Sequence, residues 1–237
     1  MIPLRDHTTR RIGGVPIVTV LLIAANALLF FFELSLGPQR LNAFLMSAAF
    51  VPARLTEGGL SAGDLGEGLS SGLLSMFLHG GWMHFLGNML FLWIFGDDVE
   101  HRLGRFRFLV FYLLAGYAAT FAHLWSSPGS PVPAIGASGA ISGVLGAYLF
   151  LHPQARIDTL VFFGFFARIV QVPAWVFLPF WFLIQLFSGF ASLGARTAED
   201  AGGVAWFAHI GGFVAGPILL FLLGGGRRPR RQPEIRY

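Results

Sequence analysis

Ser138 and His209 are the pair of side chains in this sequence whose types could carry out acyl transfer, and both fall inside long apolar stretches. A polar group in such a stretch needs a reason to be there, because a charge at the centre of a bilayer costs about 2.5–3.5 kcal/mol on the insertion scale. The other polar residues of this kind are His79, His84, Asn88 and Ser142, with Asn26 and Glu33 in the first stretch and Gln185 and Ser188 in the fifth. A serine hydroxyl is a weak nucleophile until a base takes its proton, and histidine is the usual base because it titrates near neutrality. A full triad would add a carboxylate, but the acid inside an apolar stretch is Glu33, on a different stretch and near its outer end. The expectation is therefore a Ser-His dyad. Acyl transfer also needs donors aimed at the oxyanion. His84 and Asn88, four residues apart, share one helical face, and unpaired backbone N–H groups at the start of the Ser138 helix would join them.

The elements that must position these groups are membrane spans. The chain has 237 residues, 55% hydrophobic and 12% charged, whereas a soluble domain carries roughly a quarter charged residues. Runs of the roughly 20 residues that cross a bilayer can be drawn at Ile17–Leu36, Met76–Phe95, Phe106–Trp125, Ile135–Leu151, Pro173–Phe190 and Val204–Leu223. The expected fold is an all-α polytopic bundle of six transmembrane helices over 17–224, between an N-terminal tail (1–16) and a basic C-terminal tail (225–237). This leaves no room for a soluble catalytic domain. The polar start followed by a long apolar run without a small-residue cleavage pattern reads as a retained anchor. Absence of cysteine excludes disulfides, zinc thiolate sites and thiol catalysis.

All 16 basic residues are arginine. With the N-terminus inside, Arg5, Arg10, Arg11, Arg102, Arg105, Arg107, Arg156, Arg168, Arg227, Arg228, Arg230, Arg231 and Arg236 lie on the inner side, against Arg40, Arg54 and Arg196 outside. The positive-inside bias then places both termini in the cytoplasm. The C-terminal arginines read as a topology determinant touching anionic lipid, not as a nucleic-acid patch. In this orientation the even-numbered spans run inward. Counting helical rise from Pro133 puts Ser138 about 7–8 Å deep, and counting from Gly203 puts His209 about 9 Å deep. A start near Gly80 brings His84 and Asn88 to the same layer.

Glycines at Gly139, Gly143 and Gly146 in the fourth span, and at Gly212 and Gly216 in the sixth, would let two backbones approach closely, so these spans are expected neighbours. The first loop, 37–75, holds an apolar stretch, Leu41–Val51, too short to cross and expected in the outer interface. The segment Arg156–Val172 mixes apolar residues with arginine and glycine, which delays the fifth span to Pro173.

The stretches HGGWMHFLGNMLFLWIFGDDVEHRLGRFRFLVFYLLAG, GASGAISGVLGAY and AHIGGFVAG resemble the rhomboid protease family over about residues 74–216. They contain His-x-x-x-Asn (His84, Asn88), Gly-x-Ser-Gly around Ser138 (Gly136, Gly139) and Ala208–His209, in order on the expected spans. The resemblance implies an intramembrane serine endopeptidase without cofactor or metal, with Ser138 as nucleophile and His209 as base. It implies an oxyanion hole from the Ser138 backbone, Asn88 and His84. Substrates would be transmembrane segments of proteins in the plasma or inner membrane, cut near the outer face, with span five or a lid loop over Ala191–Gly203 gating access. Glu100, Arg102 and Gly104 match the family's Glu-x-Arg-x-Gly, expected to hold the inner loop. His79 matches a supporting hydrogen-bonding position, and Gly212 and Gly216 match its helix packing. Two positions depart from the family pattern: Ser142 stands where some members stack an aromatic on the imidazole, and a Trp-Arg pair of the first loop is missing.

The plainer readings are distinct. A lone serine in a glycine-rich span is ordinarily a packing residue, and the His209, His84 and Asn88 partners are what turn Ser138 toward catalysis. His79 and His84, five apart, are offset by about 140° on a helix and lack a third ligand for zinc. Asn26 and Glu33 read as helix-contact or interfacial groups. A catalytically silent rhomboid-like protein that binds membrane helices is the alternative, marked by loss of Ser138 or His209, both of which are present. A transporter would instead show broken helices or charged pathway residues near the midplane.

Overall fold

The computed structural model describes residues 1–8, 14–56, 62–164, 166–192 and 205–226. The expected lid loop beyond Ser192, and the basic tail from Arg227 onward, lie outside the described residues. The fold is mostly helical. Helix α1 (Ile17–Ser35) is followed by three shorter helices, α2 (Gly37–Ala48), α3 (Pro52–Thr56) and α4 (Ala62–Ser75). Then come α5 (Trp82–Leu103), α6 (Arg105–Ser126), α7 (Ser138–Leu151), α8 (Ala174–Ser192) and α9 (Trp206–Leu222). Three of these, α1, α6 and α8, are long and apolar enough to cross a membrane; α7 and α9 are apolar but shorter.

Several expectations need correction. The chain is not all-α: β1 (Ile2–His7), β2 (Arg156–Phe163) and β3 (Phe166–Pro173) form an antiparallel sheet in that order. Strands β2 and β3 are a hairpin turning at Gly164, whose φ of 59° suits glycine. The N-terminal strand joins it from more than 140 residues away, pairing Ile2 with Leu160 and His7 with Arg156. The β-branched residues of Arg156–Val172 are thus strand residues, and Arg156 and Arg168 lie on the sheet. The first loop is also more ordered than one interfacial stretch, since it folds into α2, α3 and α4. The helix expected as the second span, α5, begins at Trp82, so His79 precedes it. Helix α7, expected as the fourth span, begins at Ser138 itself; residues 133–137 are not helical, and counting helical rise from Pro133 does not apply.

Helix α7 is the centre of the molecule. Its residues Gly139 to Tyr148 are all buried, with α5, α6, α8 and α9 around it. The core fills with Phe85, Leu92, Phe95, Phe108, Phe111, Tyr112, Val144, Leu145 and Tyr148. Large apolar side chains such as Trp93, Phe106, Phe121, Trp125 and Phe187 point outward instead. An exterior this apolar is stable when the surrounding solvent is lipid.

Small residues let α6, α7 and α9 touch through their backbones. A Cβ on Gly212 or Gly216 would run into the carbonyl oxygen of Gly139 or Gly143, respectively. Toward α6, a Cβ on Gly139 would lie 2.6 Å from the Ala119 Cβ, and one on Gly143 would lie 2.5 Å from the Ala115 Cβ. Pro217, inside α9, has no N–H for the carbonyl of Phe213. That carbonyl faces Gly146, again with no room for a side chain. Helices α7 and α9, expected as the fourth and sixth spans, are therefore neighbours, as the glycine spacing implies.

Candidate active site

Ser138 is the first residue of α7, after an Ala137 N-cap that makes no side-chain capping bond. The first N–H groups of a helix have no partner within it, and here no capping side chain takes them up. His209 lies one turn into α9, which glycine contacts hold against α7. The close approach brings the short serine side chain within reach: Ser138 Oγ and His209 Nε2 are 2.8 Å apart. On the far side of the ring, His209 Nδ1 is 2.8 Å from Oε1 of Gln185 on α8.

Gly136 adopts φ 122°, a region other residues avoid. A Cβ there would sit 2.5 Å from His84 Nε2 and 3.4 Å from Ser138 Oγ. Glycine thus lets the His84 imidazole and the serine hydroxyl face one small space. Asn88, one turn along α5 from His84, donates through Nδ2 to His79 Nε2 at 3.1 Å. His79 Nδ1 in turn lies 3.2 Å from the Phe77 carbonyl, which assigns it the proton and leaves Nε2 as acceptor. The backbone N–H of His79 donates to both carboxylate oxygens of Glu33, at 3.1 and 3.2 Å. Glu33 is buried, and its carboxylate bonds go to neither a helix nor the interface but to the loop carrying His79. Asn26 is also buried and donates to the Leu22 carbonyl of its own helix.

The aromatic absent at Ser142 is supplied from elsewhere. Trp181 of α8 lies 6.1 Å from the His209 ring at an interplanar angle of 34°, and Trp206 of α9 meets it edge-on at 6.2 Å. Ser142 instead donates to the Ser138 carbonyl at 2.6 Å. The loop before Ser138 is braced without a Trp-Arg pair. Gly136 N–H donates to the Ser75 carbonyl and Ala134 N–H to that of Phe50, both at 2.8 Å. Ser75 Oγ closes the circuit by accepting from the Phe50 N–H, while Thr56 Oγ1 donates to the Pro128 carbonyl.

Glu100, Arg102 and Gly104 sit at the other end of the bundle. Glu100 lies sixteen residues after His84 on α5, about 24 Å along the helix. Its carboxylate accepts the N–H groups of Val18 and Thr19 and the Thr19 hydroxyl, at 3.0, 2.7 and 2.8 Å. It therefore caps α1, whose own N-cap Pro16 makes no capping bond. Arg102 Nε donates to the Gly225 carbonyl at 2.5 Å, and Gly104, at φ 79°, makes the turn from α5 into α6. Instead of holding only the inner loop, the three residues tie α1, α5, α6 and the end of α9 together.

A family model described as a Rhomboid domain matches residues 67–226. The chain belongs to the rhomboid family. Among curated relatives it is 36% identical over 147 residues to Rhomboid protease GluP of Bacillus subtilis, covering 62% of this chain and 25% of that one. It is 29% identical over 165 residues to Rhomboid protein 1, mitochondrial, of Saccharomyces cerevisiae, covering 68% and 44%. It is 30% identical over 177 residues to Presenilin-associated rhomboid-like protein A, mitochondrial, of Danio rerio, covering 70% and 40%. The chain thus spans less than half the length of each. Within this rhomboid domain the structure brings Ser138, His209, His84 and Gly136 together and links Asn88 to His79. Gln185 is the site neighbour to which sequence reasoning assigned no role. Its signal was present, as an amide inside an apolar helix, but the partner is 24 residues away on another helix.

Proposed function

We propose that this rhomboid-family chain is an intramembrane serine endopeptidase that cleaves transmembrane segments of other membrane proteins, with Ser138 as nucleophile and His209 as base. The observation that carries the reading is the 2.8 Å contact between Ser138 Oγ and His209 Nε2 at the start of α7. In the first step Ser138 Oγ bonds to the scissile carbonyl carbon while its proton passes to His209 Nε2. The resulting oxyanion takes donors from the backbone N–H at the start of α7 and from Asn88 and His84. His209 then gives the proton to the leaving amine, and water repeats the sequence on the acyl-enzyme to regenerate Ser138. The residues supply all proton transfers themselves, and the reading includes no cofactor.

Within this reading the domain crosses the bilayer six times, with both termini on the cytoplasmic side. Helix α7 has 14 residues, about 21 Å at 1.5 Å per residue, against a hydrocarbon core of about 30 Å. With Leu151 near the inner boundary, beside the arginines of the inner loops, Ser138 stops about 9 Å short of the outer one. A peptide bond in a helix is shielded by its own hydrogen bonds, so substrates with helix-weakening glycine or proline near the outer end of their span are cut best. The membrane concerned is a plasma or inner membrane, and the name of the Bacillus subtilis relative as a protease agrees with the activity.

Reconstitution in liposomes with a labelled single-pass substrate tests the reading. The unmodified protein releases fragments and reacts with a fluorophosphonate, and Ser138→Ala does neither while remaining folded. Undiminished cleavage by Ser138→Ala removes the nucleophile assignment. Scissile bonds mapping by mass spectrometry to the cytoplasmic half of the substrate span overturn the orientation.

A further inference from the structure

We propose that Gln185 is a positioning residue for His209, holding the imidazole in the one tautomer that can accept the Ser138 proton; this rests on the dyad reading above. Gln185 is buried in α8, where its Nε2 reaches the carbonyl of Trp181 one turn earlier, at 3.5 Å. An amide nitrogen donates and an amide oxygen accepts. With Nε2 turned to the Trp181 carbonyl, Oε1 is the atom left to face His209 Nδ1, at 2.8 Å. Oε1 has no hydrogen to give, so Nδ1 must carry the proton. Nε2 of His209 is then bare and accepts the Ser138 hydroxyl at 2.8 Å. The direction of every bond in the line from the Trp181 carbonyl to Ser138 follows from that one amide orientation.

The alternative tautomer places a hydrogen on Nε2, pointing at Ser138, and cannot take its proton. In water the two tautomers interconvert freely, but here both ring nitrogens of the partly buried imidazole face side-chain partners, and the partner of the second nitrogen decides. Gln185 does this without a charge. When Ser138 gives up its proton, His209 becomes an imidazolium whose Nδ1–H still points at the amide oxygen, and the proton stays on the ring until the amine leaves.

The bond also links two helices. Helix α8 also meets α9 near the site through apolar surfaces: Phe182 stacks on Phe213 at 4.7 Å, and Gly189 packs against Trp206, Phe207 and Ile210. Gln185 adds a directional contact between them. The dyad is therefore oriented when α8 is docked on α9 and loses its aligned base when α8 moves away.

The test uses the full chain in liposomes, unmodified and as Gln185→Leu and Gln185→Glu. Turnover of a labelled transmembrane substrate is measured across pH, together with the fluorophosphonate labelling rate. Nitrogen NMR shifts of isotope-labelled His209 are recorded in micelles. Gln185→Leu lowers kcat and the labelling rate about tenfold, the weight of one hydrogen bond, with KM unchanged. The near-isosteric Gln185→Glu keeps the packing and places a carboxylate against Nδ1–H. It favours the imidazolium and moves the acid limb of kcat/KM to higher pH. The nitrogen shifts report Nδ1–H in the unmodified protein and a mixture in Gln185→Leu. Unchanged kcat in Gln185→Leu, or an acid limb left in place by Gln185→Glu, overturns the proposal. If the unmodified protein neither cleaves nor labels, the dyad reading fails separately. The nitrogen shifts still decide the bond, because an Nε2–H tautomer in the unmodified protein refutes it.

Discussion

Gly139→Ala places a single methyl group where α7 touches α6, one residue after the proposed nucleophile Ser138, and tests whether helix packing sets the geometry of the site. The new Cβ would stand 2.6 Å from the Ala119 Cβ, about 0.9 Å inside the roughly 3.5 Å at which carbon atoms attract. Neither partner is a flexible side chain tip, so the backbones must separate. Overpacking of this kind costs about 1–3 kcal/mol of stability. The separation falls at the start of α7, and a displacement of about 1 Å can reduce turnover about 10²-fold by stretching the approach of nucleophile and base. The Ser138–His209 contact of 2.8 Å has little slack to absorb it. The assay is kcat on a labelled transmembrane substrate, with thermal unfolding in the same micelles. The compensating variant Ala119→Gly removes the opposing methyl group, so Gly139→Ala with Ala119→Gly recovers most of the lost turnover, less the cost of about 1 kcal/mol for glycine in a helix. Full activity in Gly139→Ala alone, or no recovery in the double variant, refutes the reasoning.

Asn88→Ala removes one side-chain donor and lowers kcat about 10²–10³-fold without abolishing it, since His84 and the backbone remain; turnover equal to the unmodified protein reassigns Asn88 to packing. Glu100→Ala strips the acceptor from two N–H groups of α1 and the Thr19 hydroxyl. It lowers stability by about 1.5–3 kcal/mol, and hydrogen exchange at Val18 and Thr19 rises first while the folded fraction still turns over substrate. On the sheet, the hydrogen bond from His7 holds the Asp158 carboxyl below its ordinary value of 3.8. A depressed carboxylate contributes stability above the unfolded value and loses it as pH falls through the folded one. Strand β1 therefore loosens at acid pH below about 3.8, a small effect for an exposed pair, read as faster hydrogen exchange in β1; Asp158→Asn removes this dependence.

The candidate site was legible in the sequence to the extent that its signals are local. An apolar stretch exposes each polar residue it contains, so Ser138, His209, His84 and Asn88 stood out by the cost of burying them. The four-residue step of Gly212 and Gly216 announced a backbone contact, and it falls on the Gly139 and Gly143 carbonyls. Where two distant segments meet without such a spacing signal, the contact was not legible. The pairing of Ile2–His7 with Arg156–Phe163 is a hydrogen-bond ladder between strands that carry no mutual signature. Glu100 could be seen as polar, but that it caps α1 follows from where α5 comes to lie. In the same way the sequence determined which residues can give or accept a proton, because donor and acceptor capacity belongs to the side chain alone. Only the tertiary structure decided that Gln185 reaches His209, that Trp181 stands beside the imidazole in place of an aromatic at position 142, and that α7 begins at Ser138. The first two are distances between atoms on different helices, which exist only once the helices have packed, and the third is a backbone boundary held by the loop bonds of Gly136 and Ala134 to distant segments.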